Sequence, residues 1–173
     1  IFSLLSDGEE FTAIEKPDDA NAANGAILGA ALIVDVDAIR KAIAAGDDLD
    51  LRDENGSTAL ITAASFGRTE AAIILIDGGA DPDLKNQRGD TPLMVASFFC
   101  REEIVKALLE IGADRKIANN DGTRPIDAVA APWSEDLEDL YHFMESILKP
   151  IAPIEMDIER IKETRPKIAE MLR

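Results

Sequence analysis

The chain has 173 residues, 46% apolar and 30% charged, enough to bury a core as one domain or one short array. Its formal net charge of −16 excludes nucleic acid and anionic membrane as expected partners, because phosphate-rich surfaces demand lysine and arginine. The chain holds no apolar run of the 18 or more residues that a membrane span needs. A basic protein surface is the better electrostatic match, since opposite fields steer encounter, although the same charge also serves solubility.

Residues 1–22 read as an acidic N-terminal extension, with Asp7, Glu9, Glu10, Glu15, Asp18 and Asp19 against Lys16 alone. Phe2, Leu4, Leu5, Phe11 and Ile14 are its candidate anchors. The chain opens on Ile1, which leaves the compartment open between cytoplasmic and, if a signal peptide was cut before that residue, periplasmic or secreted. The lone Cys100 excludes an intramolecular disulfide and separates none of these.

From residue 23 the chain repeats. Gly56, Gly89 and Gly122 stand 33 residues apart, as do Gly46, Gly79 and Gly112. Each of the first set opens a matching phrase: Gly56-Ser57-Thr58-Ala59-Leu60, Gly89-Asp90-Thr91-Pro92-Leu93 and Gly122-Thr123-Arg124-Pro125-Ile126. A fixed period of this length predicts a stacked array in which each unit contacts only its neighbours. Small residues recur at Ala63-Ala64 and Ala96-Ser97, and larger ones at Ile39, Ala72 and Val105 and at Ala42, Leu75 and Leu108. Spacings of three and four place each set on one helical face, giving two helices per unit. Thr58 and Thr91 are the expected caps of the first helix, Pro92 suits its first turn, and Gly67 suits a left-handed reversal. Glu70 and Glu103 open the second helix, where acid favours the N-terminus. The Asp-, Asn- and Gly-rich stretches at 47–57, 80–90 and 113–123 predict projecting hairpin fingers.

After Ala131 the period breaks at Pro132-Trp133-Ser134. Ser134 starts a helix whose apolar stripe is Leu137, Leu140, Tyr141, Met144, Ile147 and Leu148. Pro150 and Pro153 mark a linker, and Ile154, Ile158, Ile161, Ile168 and Leu172 a last helical segment, bent or restarted at Pro166.

The succession of Gly-x-Thr-Pro-Leu, an alanine pair, a turn glycine, an amphipathic helix and Gly-Ala-Asp resembles the ankyrin repeat family. Residues Asp53 to Ala118 carry two nearly complete units, with looser ones before and after. The resemblance implies an all-α, ankyrin-type α-solenoid of stacked helix pairs with projecting β-hairpin fingers. The expected organisation is the extension at 1–22, four units over 23–148, and a C-terminal capping helical segment at 149–173. The sequence departs from the family where it usually has His, holding Leu28, Ile61, Met94 and Asp127 instead. Cys100 replaces the turn glycine, which predicts a reshaped turn, and Arg124 replaces the capping threonine, which leaves Thr123 to serve.

The resemblance also implies a function, noncatalytic binding of a protein partner through the concave face and the finger tips. On this sequence the tips are Glu54, Asn55, Ser57, Gln87, Arg88, Asp90, Asn120, Asp121 and Thr123. Ser65, Phe66, Phe98 and Phe99 lie at the ends of the first helices and Trp133 follows at the fourth unit, the four aromatics forming a candidate row down one concave face. The same residues suit gap-filling between helices, and adjacent Phe98 and Phe99 point about 100° apart, so both cannot be equally buried. The alternative function is a regulatory or inhibitory subunit of a larger enzyme assembly, where both ends of the chain add contacts. The free module is expected to be a monomer.

Signals for catalysis are weak. Cys100 and His142, the sole cysteine and histidine, fall in different units, short of the nucleophile–base pair that acyl transfer needs. No phosphate-cradling glycine motif and no zinc-type Cys/His cluster stands in the chain, so no cofactor or metal is expected. The carboxylates of Asp47, Asp48, Asp50, Asp53, Asp81 and Asp83 read better as turn chemistry than as a cation site, because the calcium-loop spacing is missing.

Overall fold

A computed structural model describes residues 19–173. The helices are α1 (Asp19–Ile33), α2 (Val36–Ala45), α3 (Ala59–Phe66), α4 (Thr69–Asp77), α5 (Pro92–Phe98), α6 (Glu102–Glu110), α7 (Pro125–Ala130), α8 (Glu135–Leu148) and α9 (Ile158–Met171). Helix α1 begins inside the stretch expected to be an extension; the anchors Phe2, Leu4, Leu5, Phe11 and Ile14 lie outside the described residues.

The helices stack in two rows. An inner row runs α1, α3, α5, α7, and an outer row runs α2, α4, α6, α9, each helix packing on its neighbour in the row and on its partner across. The fourth pair is therefore α7 with α9. The sequence reading ends the array at residue 148, with the segment 135–148 inside it; the structure instead brings its outer helix from 158–171. Helix α9 runs unbroken through Pro166, so of the two expectations, a bend or a restart, the restart does not occur. Proline removes one amide from the helix ladder there. Buried Thr164, Arg165, Ile168 and Ala169 on either side hold the helix in place.

Local chemistry explains the repeat. The Thr58 and Thr91 hydroxyls accept from the amides of Ile61 and Met94 at 3.3 and 3.2 Å, each satisfying an orphan donor of the first turn. Helix α7 has no such threonine, and Thr123 does not take the role. Asp127 accepts the Arg124 amide at 3.0 Å and both arms of its guanidinium at 2.9 and 3.0 Å. Gly67 turns the chain between α3 and α4 at φ +65°, while Val34 and Cys100 keep the same left-handed turn at +61° and +54°. The turn at Cys100 is thus retained rather than reshaped, at a steric cost of roughly 1–2 kcal/mol. Full burial of Cys100 helps to offset that cost. Leu75, Leu108, Val105, Ile104 and Leu93 fill the space between units and are fully buried.

The fingers project where the sequence places them. Each is closed by two backbone bonds: the amides of Asp53, Asn86 and Asn119 donate to the carbonyls of Ser57, Asp90 and Thr123 at 2.9, 3.0 and 2.9 Å, and those of Gly56, Gly89 and Gly122 donate back to the carbonyls of Asp53, Asn86 and Asn119 at 2.9, 2.9 and 3.0 Å. Among the described residues no strand forms, so these hairpins are tight turns without a ladder.

Candidate functional site

At the finger tips, three residues at one phase of the repeat each tie their own loop. The Oδ1 atom of Asp53 accepts the amides of Asn55 and Ser57, that of Asn86 those of Arg88 and Asp90, and that of Asn119 those of Asp121 and Thr123. Neighbouring fingers are then locked in register. Gln87 and Asn120 donate main-chain amides to Asn55 and Arg88, and side-chain amides to the carbonyls of Glu54 and Gln87. A second ladder runs through the finger bases, where Asp50 accepts the amide of Asp81, and Asp83 that of Asp114, both at 2.9 Å. These carboxylates hold backbone, which accounts for the acid-rich loops through turn chemistry.

Of the expected tip residues, Glu54, Asn55, Gln87, Arg88, Asn120 and Asp121 are exposed, and Ser57 and Thr123 are half-buried. Asp90 is a correction: it is 9% exposed, accepts from Asn119 Nδ2 at 2.8 Å and pairs with Arg88 at 3.4 Å. Its carboxylate joins two fingers and is not offered outward.

In the aromatic row, the gap-filling alternative holds for Phe66 and Phe99. Phe66 and Phe99 are buried in the core, and the half-buried Ser65 hydroxyl donates to the Ile61 carbonyl. Phe98 and Trp133 are half-buried because Tyr141 of α8 is inserted between them. The Tyr141 ring stacks on Phe98 at 5.3 Å and on Trp133 at 5.9 Å, and its hydroxyl donates to the Phe98 carbonyl at 2.6 Å. Lys162 of α9 lies 5.1 Å from the centre of the Trp133 ring, and Glu138 accepts from both Trp133 and Lys162 at 3.2 Å. The Lys162 and Trp133 hydrogen bonds hold the Glu138 carboxyl below its ordinary range. Sequence reasoning placed Tyr141 in an apolar stripe and missed this role. The available signal was a lone tyrosine among aliphatic side chains, since a buried phenol needs a hydrogen-bond partner.

Tyr141 belongs to a periodic feature at the far ends of the inner helices. The carbonyls of Leu32, Ser65, Phe98 and Ala131, spaced 33 residues apart, each accept from a side chain: Arg68 at 2.9 Å, Arg101 at 3.5 Å, Tyr141 at 2.6 Å and Arg165 at 3.2 Å. Helix C-termini leave such carbonyls without intrahelical partners. Arg68 and Arg101 keep the repeat phase, whereas the next equivalent position is Ser134, so α8 and α9 supply substitutes. Arg68 also donates to the Pro153 carbonyl at 2.9 Å, fastening the 149–157 segment, whose Ala152, Ile154 and Met156 are buried.

Cys100 is fully buried, and burial pushes its thiol up. His142 is exposed on α8. A groove between α2 and α4, about 710 Å³, is lined by Arg40, Glu70, Ile73 and Asp77; a smaller cleft between α7 and α9 is lined by Trp133, Lys162 and Arg165. Neither is lined by Cys100 or His142.

Residues 27–120 match the family model described as ankyrin repeats (3 copies). The match spans more than half of the chain and stops before α7, whose unit borrows its outer helix from beyond the period break. No curated protein matches the chain. None of its helices is long and apolar enough to cross a membrane among the described residues. With its phased helix pairs, threonine caps and registered fingers, the chain belongs to the ankyrin repeat family.

Proposed function

We propose that this chain is a noncatalytic interaction module that binds a protein partner through its finger tips and the adjoining concave face. Ankyrin repeats are in general protein–protein interaction modules. The supporting observation is the registered row of exposed tips. Glu54, Asn55 and Asp121 are presented on loops whose backbone is already tied, so little conformational freedom is lost on binding. The buried Phe66, Phe99 and Asp90 take no part. Phe98 and Trp133 serve the attachment of α8. The acidic balance favours a basic partner whose association slows as salt rises.

The test is affinity capture from the native source with the full chain and with a variant carrying Glu54→Ala, Asn55→Ala and Asp121→Ala. A captured protein that is lost with the variant, at unchanged melting temperature, supports the reading; equal capture by both overturns it. The second reading, a permanently attached regulatory subunit, is favoured by the exposed apolar residues of α8. It requires that the isolated chain be poorly soluble, which sedimentation of the purified protein decides.

A further inference from the structure

Helix α8 turns one side to the array and another to solvent. Tyr141 faces inward and is fully buried, and Leu137, Met144 and Leu148 are half-buried against the core. Leu140, Phe143 and Ile147 are 40%, 59% and 46% exposed, and Ile151, just past the helix, is 61% exposed. At about 100° per residue, positions 136, 140, 143 and 147 fall within a sector of about 60°. The exposed apolar residues therefore form one narrow stripe, about two turns long, that continues to Ile151. Scattered apolar residues on a surface need no explanation, but an aligned stripe marks an interaction site.

The stripe is bordered by Glu135, Asp136 and Asp139, all exposed and none in an ion pair among the described residues. This border selects the occupant. A second copy would bring together two chains that each carry a net charge of −16. The segment 1–18 holds five carboxylates against one lysine and would meet the same repulsion. A helix with apolar residues on one face and lysine or arginine beside them fits both the shape and the charge. We propose that α8 is a docking surface for a basic amphipathic helix of a partner protein, separate from the fingers. Phe143 and Ile147 would be its anchors, and Asp136 and Asp139 would pair with the partner's cations.

The probe is a labelled synthetic helix of leucines on one face and lysines elsewhere, titrated into the full chain by fluorescence anisotropy. Its control has the same composition with the leucines scattered. The amphipathic peptide should bind about tenfold or more tighter than its control. The double variant Phe143→Ser with Ile147→Ser should lose about tenfold or more without a change in melting temperature, since both residues are exposed. Asp136→Asn with Asp139→Asn should weaken binding and flatten its salt dependence. Equal affinity for the two peptides, or an unaffected Phe143/Ile147 variant, overturns the proposal. So does a dimer that disappears in that variant, or about tenfold tighter peptide binding after deletion of residues 1–18, because each would name a different occupant. Glu54→Ala with Asp121→Ala should leave the peptide affinity unchanged, so failure here and failure of the finger reading are read separately.

Discussion

At the residue scale, the arginines on the inner-helix ends do similar work under different strain. Arg165 is 4% exposed and serves three acceptors: the Ala128 carbonyl at 3.0 Å, the Tyr141 hydroxyl at 3.1 Å and the Ala131 carbonyl at 3.2 Å. Arg101 is 9% exposed, makes one long bond of 3.5 Å to the Ser65 carbonyl, and leaves its Nε without a partner. Burial, and then the nearby Arg160 charge, pull its pKa down to about 10. Arg165→Met should therefore cost about 3 kcal/mol, as buried acceptors lose a charged donor. Arg101→Met, which keeps the apolar stem, should be neutral or stabilising, since a poorly satisfied buried charge is removed. Urea titrations of both variants check the contrast, and equal losses would show that Arg101 is better satisfied than its geometry indicates. Arg68 and Arg101 are legible in the sequence as a pair 33 residues apart. Their carbonyl partners lie 36 residues back across a helix pair, which no local pattern reports.

At the element scale, the fingers offer an internal control. Gly89 and Gly122 share φ +78°, but a Cβ on Gly89 would stand 2.5 Å from Asn120 Oδ1 and 2.7 Å from its amide, whereas one on Gly122 meets nothing within 4 Å. Gly122→Ala should cost about 1 kcal/mol from backbone strain alone, and Gly89→Ala about 2 kcal/mol or more from strain plus the collision between fingers. Thermal melts of the pair measure the difference, which vanishes if the fingers are not in register. Helix α8 makes a second prediction. Because Glu138 is held below its ordinary pKa, the native state takes up its proton less readily than the unfolded chain. The stabilisation is complete above the ordinary glutamate value and is lost as pH falls through the depressed one. Trp133, the sole tryptophan, should report this as a fluorescence change on acidification that Glu138→Gln abolishes. A transition unaltered by that substitution would place its origin elsewhere.

At the scale of the whole molecule, the array depends on the segment beyond the period. Helix α9 covers α7 and α6, and its Ile161 and Ile168 are fully buried. Ending the chain after Leu148, where the sequence reading closed the array, should strip α7 of its outer partner. The melting temperature should fall sharply, with loss of cooperativity at the C-terminal end, because each unit is stabilised mainly by its neighbours. A truncated chain that melts like the full one would mean that α9 is dispensable.

The period of 33, the threonine caps, the turn glycines and the Asp/Asn loop ties are local, so the sequence alone determined the first three helix pairs, the fingers and their order. Each is set by residues a few positions apart, where steric and hydrogen-bonding preferences act directly. The fate of Phe98, Trp133 and Tyr141 was not local. Whether an aromatic at a helix end faces solvent or a neighbour depends on what the chain lays over it. Here that cover arrives from α8, 43 residues after Phe98. The same holds for the fourth pair: apolar spacing made both α8 and α9 suitable outer helices, and only packing chose α9. The tertiary structure decided these points because burial is a property of the assembled stack, where the helix that fills the vacancy best displaces its competitor to the outside.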